Sequence, residues 1–339
     1  MTEAYYYHRM SREEQIAYRA MKEGLTAMAV SFPVPRLPQK QLTDLFFKLR
    51  LDCPDIFYAA GFGYRYYQDS TNVEMIPEYL FEKNKIKVQQ QAMSARITKL
   101  TRPARDLDDW EKERYIHDFI CENVTYDKLK KAYSHEIIGP LGQGVGVCEG
   151  IAKSVKILCD ALGIWCIIAI SEANPEKKIK YRHAWNILRL GGSYYHLDAT
   201  FDNSLSRTAA GIRYDYFNLD DKRLFRDHEP ALYPVPACED AGQAYYIAKK
   251  LSFTKPEDVG KRAQQAIRKK KCLTFHWRGG ALNREKLSEI IRCLEEAAQG
   301  KGLHVQISLN RPQAVFSVRF LDCLPGQELI IEEANEGEA

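Results

Sequence analysis

The sequence predicts an α+β protein in which a central helix packs against an antiparallel sheet, with smaller mixed α/β units on either side. Two observations carry this. After Cys148, Ile151, Val155, Leu158 and Leu162 recur at steps of four, three and four, which is one apolar stripe of a buried helix. Further on, the runs 183–190 and 194–198 flank Gly191-Gly-Ser193, a hairpin signature, and Ile164–Ile170 before them is an apolar run of strand length. At 339 residues the chain is long enough for two or three domains. The pattern divides it into an N-terminal α+β domain over 1–100, a central core over 101–236, and a C-terminal α/β domain with an acidic tail over 237–339.

Taken in order, Ser11 and Glu14 form a capping box, so a helix is expected to about Val30, ahead of the proline-rich stretch 32–38. A second helix is expected over 39–51. Short aromatic runs between Asp55 and Leu80, broken by Gly61, Gly63 and a polar segment, read as strands of a small sheet. Phe62, Tyr64 and Tyr66 alternate, which puts them on one face. Residues 83–100 form a basic helix that Pro103 ends. Asp108 or Asp109 then caps a helix running to about Asn123, and a polar connection delivers the chain to Gly142. Gly163 suits the position after the Cys148 helix. Beyond Pro236 the pattern resets into helix 256–270, strand 272–277, helix 283–299 and strands 303–309 and 314–321. The tail 332–338 is acidic and reads as disordered.

Composition narrows the function classes. Hydrophobic content of 45% and charged content of 28% are ordinary for a globular protein, and a net charge of +4 gives no general case for nucleic-acid binding. Nine scattered cysteines, without a C-x-x-C pair, argue against a disulfide framework or a zinc cluster and favour a reducing compartment. No apolar leader opens Met1–His8, and the longest apolar run is too short to span a bilayer. The expectation is a cytoplasmic protein with no membrane partner, no cofactor and no metal. Its oligomeric state is left open.

Three fragments carry chemistry. In Gly142-Gln-Gly-Val-Gly-Val-Cys-Glu-Gly150, glycines let the chain turn sharply into the helix that Cys148 begins. Unpaired N–H groups and the helix dipole there favour negative charge, and the thiolate is the nucleophilic form of cysteine. Arg182-His-Ala-Trp-Asn186 opens the first hairpin strand, and Tyr194-Tyr-His-Leu-Asp198 forms the second. A cysteine at a helix end and His183 on an adjacent sheet can pair across a cleft. Asp198 on the neighbouring strand can then accept from the other ring nitrogen. His196 shares that strand face and is the weaker alternative. Asp202 reads as a turn or capping residue. Cys159 and Cys166 fall in apolar surroundings and read as core. Lys177, Lys178, Lys180 and Arg182 form a basic edge that reads as a solvated loop.

Gly146-Val-Cys-Glu-Gly150, His183-Ala-Trp-Asn186 and Asp198-Ala-Thr200 together resemble the transglutaminase-like superfamily of papain-fold cysteine enzymes, over roughly residues 110–202. Similar bacterial proteins carry flanking regions like the two here. The resemblance implies a papain-like core with Cys148 as nucleophile, His183 as general base and acid, and Asp198 as the residue that orients it. It implies attack on an amide of a peptide or protein substrate, a thioester, and its resolution by water or an amine. For the oxyanion, the Cys148 N–H is one donor and Gln143 a second candidate. Tyr181 and Trp185 are alternatives near the histidine, and Glu149 shapes the mouth of the cleft. Hydrolysis in the manner of a cysteine protease or amidase is preferred over cross-linking, because no calcium loop of the EF-hand kind is present. The alternatives are a protein cross-linking transglutaminase, a non-catalytic binding module on the same fold, and a glycan–amide hydrolase.

Overall fold

In the computed structural model, which describes residues 4–177, 179, 181–206 and 211–322, the first helix starts where the capping box places it. Ser11 Oγ accepts from the Glu14 N–H and the Glu14 carboxylate accepts from the Ser11 N–H, and α1 runs Arg12–Thr26. It stops short of Val30 because the chain reverses at Met28, which has φ 52°, and brings Phe32 against Gly24. A Cβ on Gly24 would lie 2.3 Å from the Phe32 ring. The prolines that follow do not make a loop. They form strand β1, Phe32–Pro35, at the edge of a three-stranded sheet, where a missing N–H is tolerated.

The chain divides into two units, 1–170 with 182–192, and 171–181 with 193–339. In the first unit, α2 (Gln39–Asp52) leads to β2 (Ala59–Tyr66) and β3 (Asn72–Tyr79), an antiparallel pair flanked by β1 in the order β1-β3-β2. Phe62 on the aromatic face packs its ring 5.1 Å from that of Phe46 on α2, while Tyr66 farther along the strand is exposed. Then come α3 (Lys83–Thr101) and α4 (Asp109–Asn123), the latter capped by Asp108, whose side chain accepts from the Glu111 N–H at 2.9 Å. Two short parallel strands, β4 (Thr125–Tyr126) and β5 (Val145–Gly146), bring the chain to α5 (Cys148–Leu162). Ile151, Val155, Leu158 and Leu162 of α5 are all buried, as the stripe predicts. Gly163 ends the helix at φ 78°, and β6 (Cys166–Ser171) and β7 (His183–Leu190) follow as hydrogen-bonded neighbours. α5 packs on β7.

A buried charge cluster joins α2, the segment before α5 and the first turns of α5. Lys153 has no exposed side-chain surface, and its ammonium lies 2.8 Å from Glu136 and 2.7 Å from Glu149. It also donates to the His135 carbonyl at 3.1 Å. From α2, Arg50 pairs with Glu136 and stands 3.3 Å from Glu149. His135 Nδ1 faces the second Glu149 oxygen at 3.3 Å. Burial alone would raise the Glu149 pKa, but Lys153, His135 and Arg50 outweigh it and hold the carboxyl well below the usual range.

The second unit holds β8 (Ser193–Leu197) and β9 (Phe217–Leu219), an antiparallel pair, with α6 (Ala199–Ser206) between them in the chain. Next come the short helices α7 (Asp221–Leu224) and α8 (Tyr245–Ala248). The C-terminal pattern appears as expected, with ends shifted by a few residues: α9 (Pro256–Arg268), β11 (Leu273–Trp277), α10 (Arg284–Gln299), β12 (His304–Asn310) and β13 (Val315–Leu321). A short strand absent from the sequence reading, β10 (Ser252–Phe253), completes the sheet in the order β10-β11-β13-β12. Val259, Ala263, Ile290 and Leu294 of the two helices bury themselves with Phe275, Phe316 and Val318 of the sheet. The acidic tail lies outside the described residues. No helix among the described residues is long and apolar enough to cross a membrane.

A Cβ on Gly150 would lie 2.1 Å from the Ser134 carbonyl oxygen, so Gly150→Ala should destabilise by about 1–3 kcal/mol. Urea denaturation reads this directly, and an unchanged midpoint would contradict the close approach. Lys153→Met leaves Glu136 and Glu149 buried with one cation fewer and should cost about 3 kcal/mol at neutral pH. Because the folded pKa of Glu149 lies below the ordinary 4.5, its contribution is complete above that pH and fades as the pH falls. The stability gap between wild type and Glu149→Gln should therefore be widest above about pH 4.5 and shrink on acidification. A gap that grows in acid would refute the assignment.

Candidate active site

Cys148 is positioned by the turn that precedes it. Residues Ile138–Gln143 form one wide helical turn that ends at Gly144 with φ 67° and ψ 23°. The Asn123 carbonyl lies 3.1 Å from where a Gly144 side chain would begin, so glycine serves both the left-handed backbone and the close approach. Thr125 N–H then donates to Gly144 at 2.8 Å, Asp127 N–H to Gly146 at 3.0 Å and Val147 N–H to Ser134 at 3.0 Å. Asp127 fixes the other side of this passage. Its carboxylate accepts from Ser134 Oγ at 2.5 Å and from the N–H groups of Leu129 and Lys131, and these bonds, Ser134 first, lower its pKa. Cys148 is the first residue of α5, and Val147 ahead of it supplies no side-chain cap. The thiol is partly exposed and stands at the positive end of a fifteen-residue helix.

His183 is the first residue of β7 and is 5% exposed. Trp185 shares its face, as alternation requires, with the two rings stacked at 6.0 Å and 15°. Trp185 is itself buried, so it holds the imidazole plane. Asn186 locks the strand in place, because its Nδ2 donates to the Ala152 carbonyl of α5 at 2.9 Å and to the Ile167 carbonyl of β6 at 3.3 Å. The first unit thus carries the cysteine and histidine motifs on a helix and a strand that pack together. Gln143 is exposed at the end of the wide turn. Glu149 belongs to the charge cluster on the first turn of α5, so the charge beside the thiol is already paired. Cys159 and Cys166 are buried, and burial pushes the Cys159 thiol up. All eight cysteines among the described residues are free.

The turn residues Gly191 and Gly192 both have positive φ, at 56° and 93°, the backbone that a two-residue hairpin turn of type I′ needs. β8 ends at Leu197, however, one residue short of the expected strand. Asp198 therefore does not continue the strand face of Tyr194 and His196. It stands at the start of α6, where Oδ1 accepts the N–H groups of Thr200 at 2.9 Å and Phe201 at 3.0 Å. That is helix-capping chemistry, and it ends the strand because the carboxylate competes with the ladder for backbone donors.

The other Asp198 oxygen faces His228 Nε2 at 2.8 Å, and His228 Nδ1 faces Asp227 at 2.8 Å. Asp227 in turn accepts from the buried Tyr216 hydroxyl at 2.7 Å. His228 escaped the sequence reading. It lies in a stretch without helical or strand period, and its only signal is the neighbouring Asp227. His196 is buried with Nε2 2.7 Å from Asp221, and burial lowers its pKa although Asp221 opposes the shift. Asp202 is more than a surface cap: it is fully buried and accepts from the N–H groups of Asp215 at 2.7 Å and Tyr216 at 3.2 Å. Tyr181 is 52% exposed. Lys178 and Lys180 lie outside the described residues, as does the Lys177 side chain.

No curated protein sequence matches the chain. Among solved structures, a crystal structure of a TGase aligns at 11% identity and TM-score 0.28, over 42% of this chain and 44% of that one. A candidate cysteine protease from Cytophaga hutchinsonii aligns at 16% identity and TM-score 0.28, over 41% and 61%. A candidate protease from Parabacteroides distasonis aligns at 13% identity and TM-score 0.26, over 42% and 37%. Each alignment spans less than two thirds of the matched structure. The family model that matches is that of the transglutaminase-like superfamily, over residues 92–199, the segment that holds Cys148, His183 and Asp198.

Proposed function

We propose that this protein is a cysteine-dependent amide-processing enzyme that works through a thioester on Cys148. The observation that carries the reading is the placement of Cys148. It is a partly exposed thiol at the uncapped start of α5, inside the transglutaminase-like segment. In the proposed cycle, His183 takes the thiol proton and the thiolate attacks the amide carbonyl. The C–N bond breaks, His183 returns the proton to the departing amine, and the acyl group stays on sulfur. Water then attacks the thioester, giving its proton to His183, and the C–S bond breaks to release a carboxylic acid and the thiol. An amine in place of water would give cross-linking by the same steps.

The Cys148 N–H and the Gln143 side chain are the proposed donors to the oxyanion. Orientation of the imidazole is assigned to Asp198, and Trp185 supports it by stacking on His183. Hydrolysis is the preferred outcome, of a peptide or protein amide.

The reading makes a kinetic prediction that needs no substrate. A limiting amount of an iodoacetamide probe should label Cys148 faster than Cys272, an exposed cysteine that serves as an internal reference. Cys148→Ala should remove the fast phase, and His183→Ala should slow it by about 100-fold. Mass mapping of the labelled peptides checks this. Equal rates at Cys148 and Cys272 would sink the claim of an activated nucleophile.

A further inference from the structure

In the second unit, a groove of about 520 Å³ opens between the segment 220–226, the end of β11 and the turn before β13. Its charged lining is five cations, Lys222, Arg223, Arg226, Arg278 and Arg311, against one carboxylate, Asp220. For a chain whose net charge is only +4, that is a marked local concentration. None of the five forms a salt bridge with a carboxylate among the described residues. Burial and the neighbouring Arg226 and Arg278 lower the Arg223 pKa, with Asp220 offsetting only part of this. His276 is pushed down to about 3, first by burial and then by Arg223, Arg226 and Arg278, so it adds no charge of its own. The fold holds these cations together against their mutual repulsion.

The groove is also built rigidly. Asp220 caps α7 by accepting from the Arg223 N–H at 2.8 Å. The buried Gln313 amide donates to the Arg223 carbonyl at 3.2 Å and to the Asp227 carboxylate at 3.1 Å, which ties the turn before β13 to α7. Arg226 donates to the Pro312 carbonyl at 3.1 Å, and the Arg278 N–H to Phe253 at 2.8 Å. Ala314 adopts φ 53°, a strained value for a residue with a side chain, at the edge of the groove.

We propose that this groove is a binding site for a compact ligand carrying linked phosphate groups. Its volume is in the range of small-molecule sites, which run from about 300 to 1,000 Å³. Four of the five cations are guanidinium forks, whose planar donors match phosphate oxygens in pairs. Linked phosphates bring the most negative charge into so small a space, at close to two charges for a terminal group. Nucleic acid is disfavoured because the rings lining the groove, His276 and Trp277, are buried, and Trp277 Nε1 is engaged with the Gly280 carbonyl at 3.2 Å. They offer no open face on which bases could stack.

Calorimetric titration of tripolyphosphate into the full chain tests the proposal. Binding is expected, weakening as salt rises, and falling by about tenfold or more in Arg278→Glu/Arg311→Glu. Both of these side chains are exposed, and Arg278→Ala/Arg311→Ala, a milder change, should weaken it in the same direction. Lys269→Glu/Lys271→Glu alters net charge equally at exposed positions outside the groove and should leave binding unchanged. ATP as a second titrant identifies the source: equal affinity means that a nucleotide is accommodated, and weaker affinity points to free or polymeric phosphate, and either supports the site. The proposal is overturned if tripolyphosphate does not bind or if the two charge reversals weaken it equally. Tighter binding of hexaglutamate or of a single-stranded oligonucleotide would also overturn it.

Discussion

Lys153 is an ammonium with no exposed surface, one turn into the helix that Cys148 begins. An unpaired cation at such a depth would cost several kcal/mol, so its partners set the geometry of everything around it. Glu149 comes from its own helix, Glu136 and the His135 carbonyl come from the segment before that helix, and Arg50 of α2 pairs with the same two carboxylates. A shift of either carboxylate-bearing segment would leave the fully buried Lys153 ammonium short of a partner. Cys148, adjacent to Glu149, inherits that rigidity. The close contact of Gly150 with the Ser134 carbonyl works in the same direction, since the backbone there has no room to move inward.

The same cluster explains how a carboxylate can neighbour a proposed nucleophile. A free glutamate beside a thiol would oppose thiolate formation. Here the Glu149 charge is matched by Lys153 and Arg50. In the second unit, Asp198 holds the backbone of α6 with one oxygen and His228 with the other, and His228 leads on to Asp227 and Tyr216. Such a chain of hydrogen bonds fixes a carboxylate's orientation more tightly than a single partner does.

What could be read in the sequence, and what could not, follows physical lines. Local signals were legible: the capping box at Ser11, the Asp108 cap, the α5 stripe and the left-handed Gly163 all appear where side-chain period and backbone preference put them. The superfamily motif around Cys148 was legible for the same reason, being contiguous. Features that depend on partners distant in the chain were not. β1 was hidden because its two prolines argue against a strand unless the strand is known to lie at an edge. The partnership of Arg50 with Glu136 joins residues 86 positions apart, and no period announces it. Asp198 reads as a strand residue until the helix after it is seen to need a cap. His228 lies in a segment with no regular pattern, and the groove's cations come from three stretches far apart in the chain.

The central claim is that Cys148 forms a covalent acyl intermediate. Intact-protein mass spectrometry of the full chain after rapid quenching with a library of peptide amides tests it most directly. The account predicts an added acyl mass that maps to Cys148, is released by hydroxylamine and is missing from Cys148→Ala. A stable, folded protein that accumulates no adduct, or one whose adduct maps to another cysteine and persists in Cys148→Ala, would contradict it.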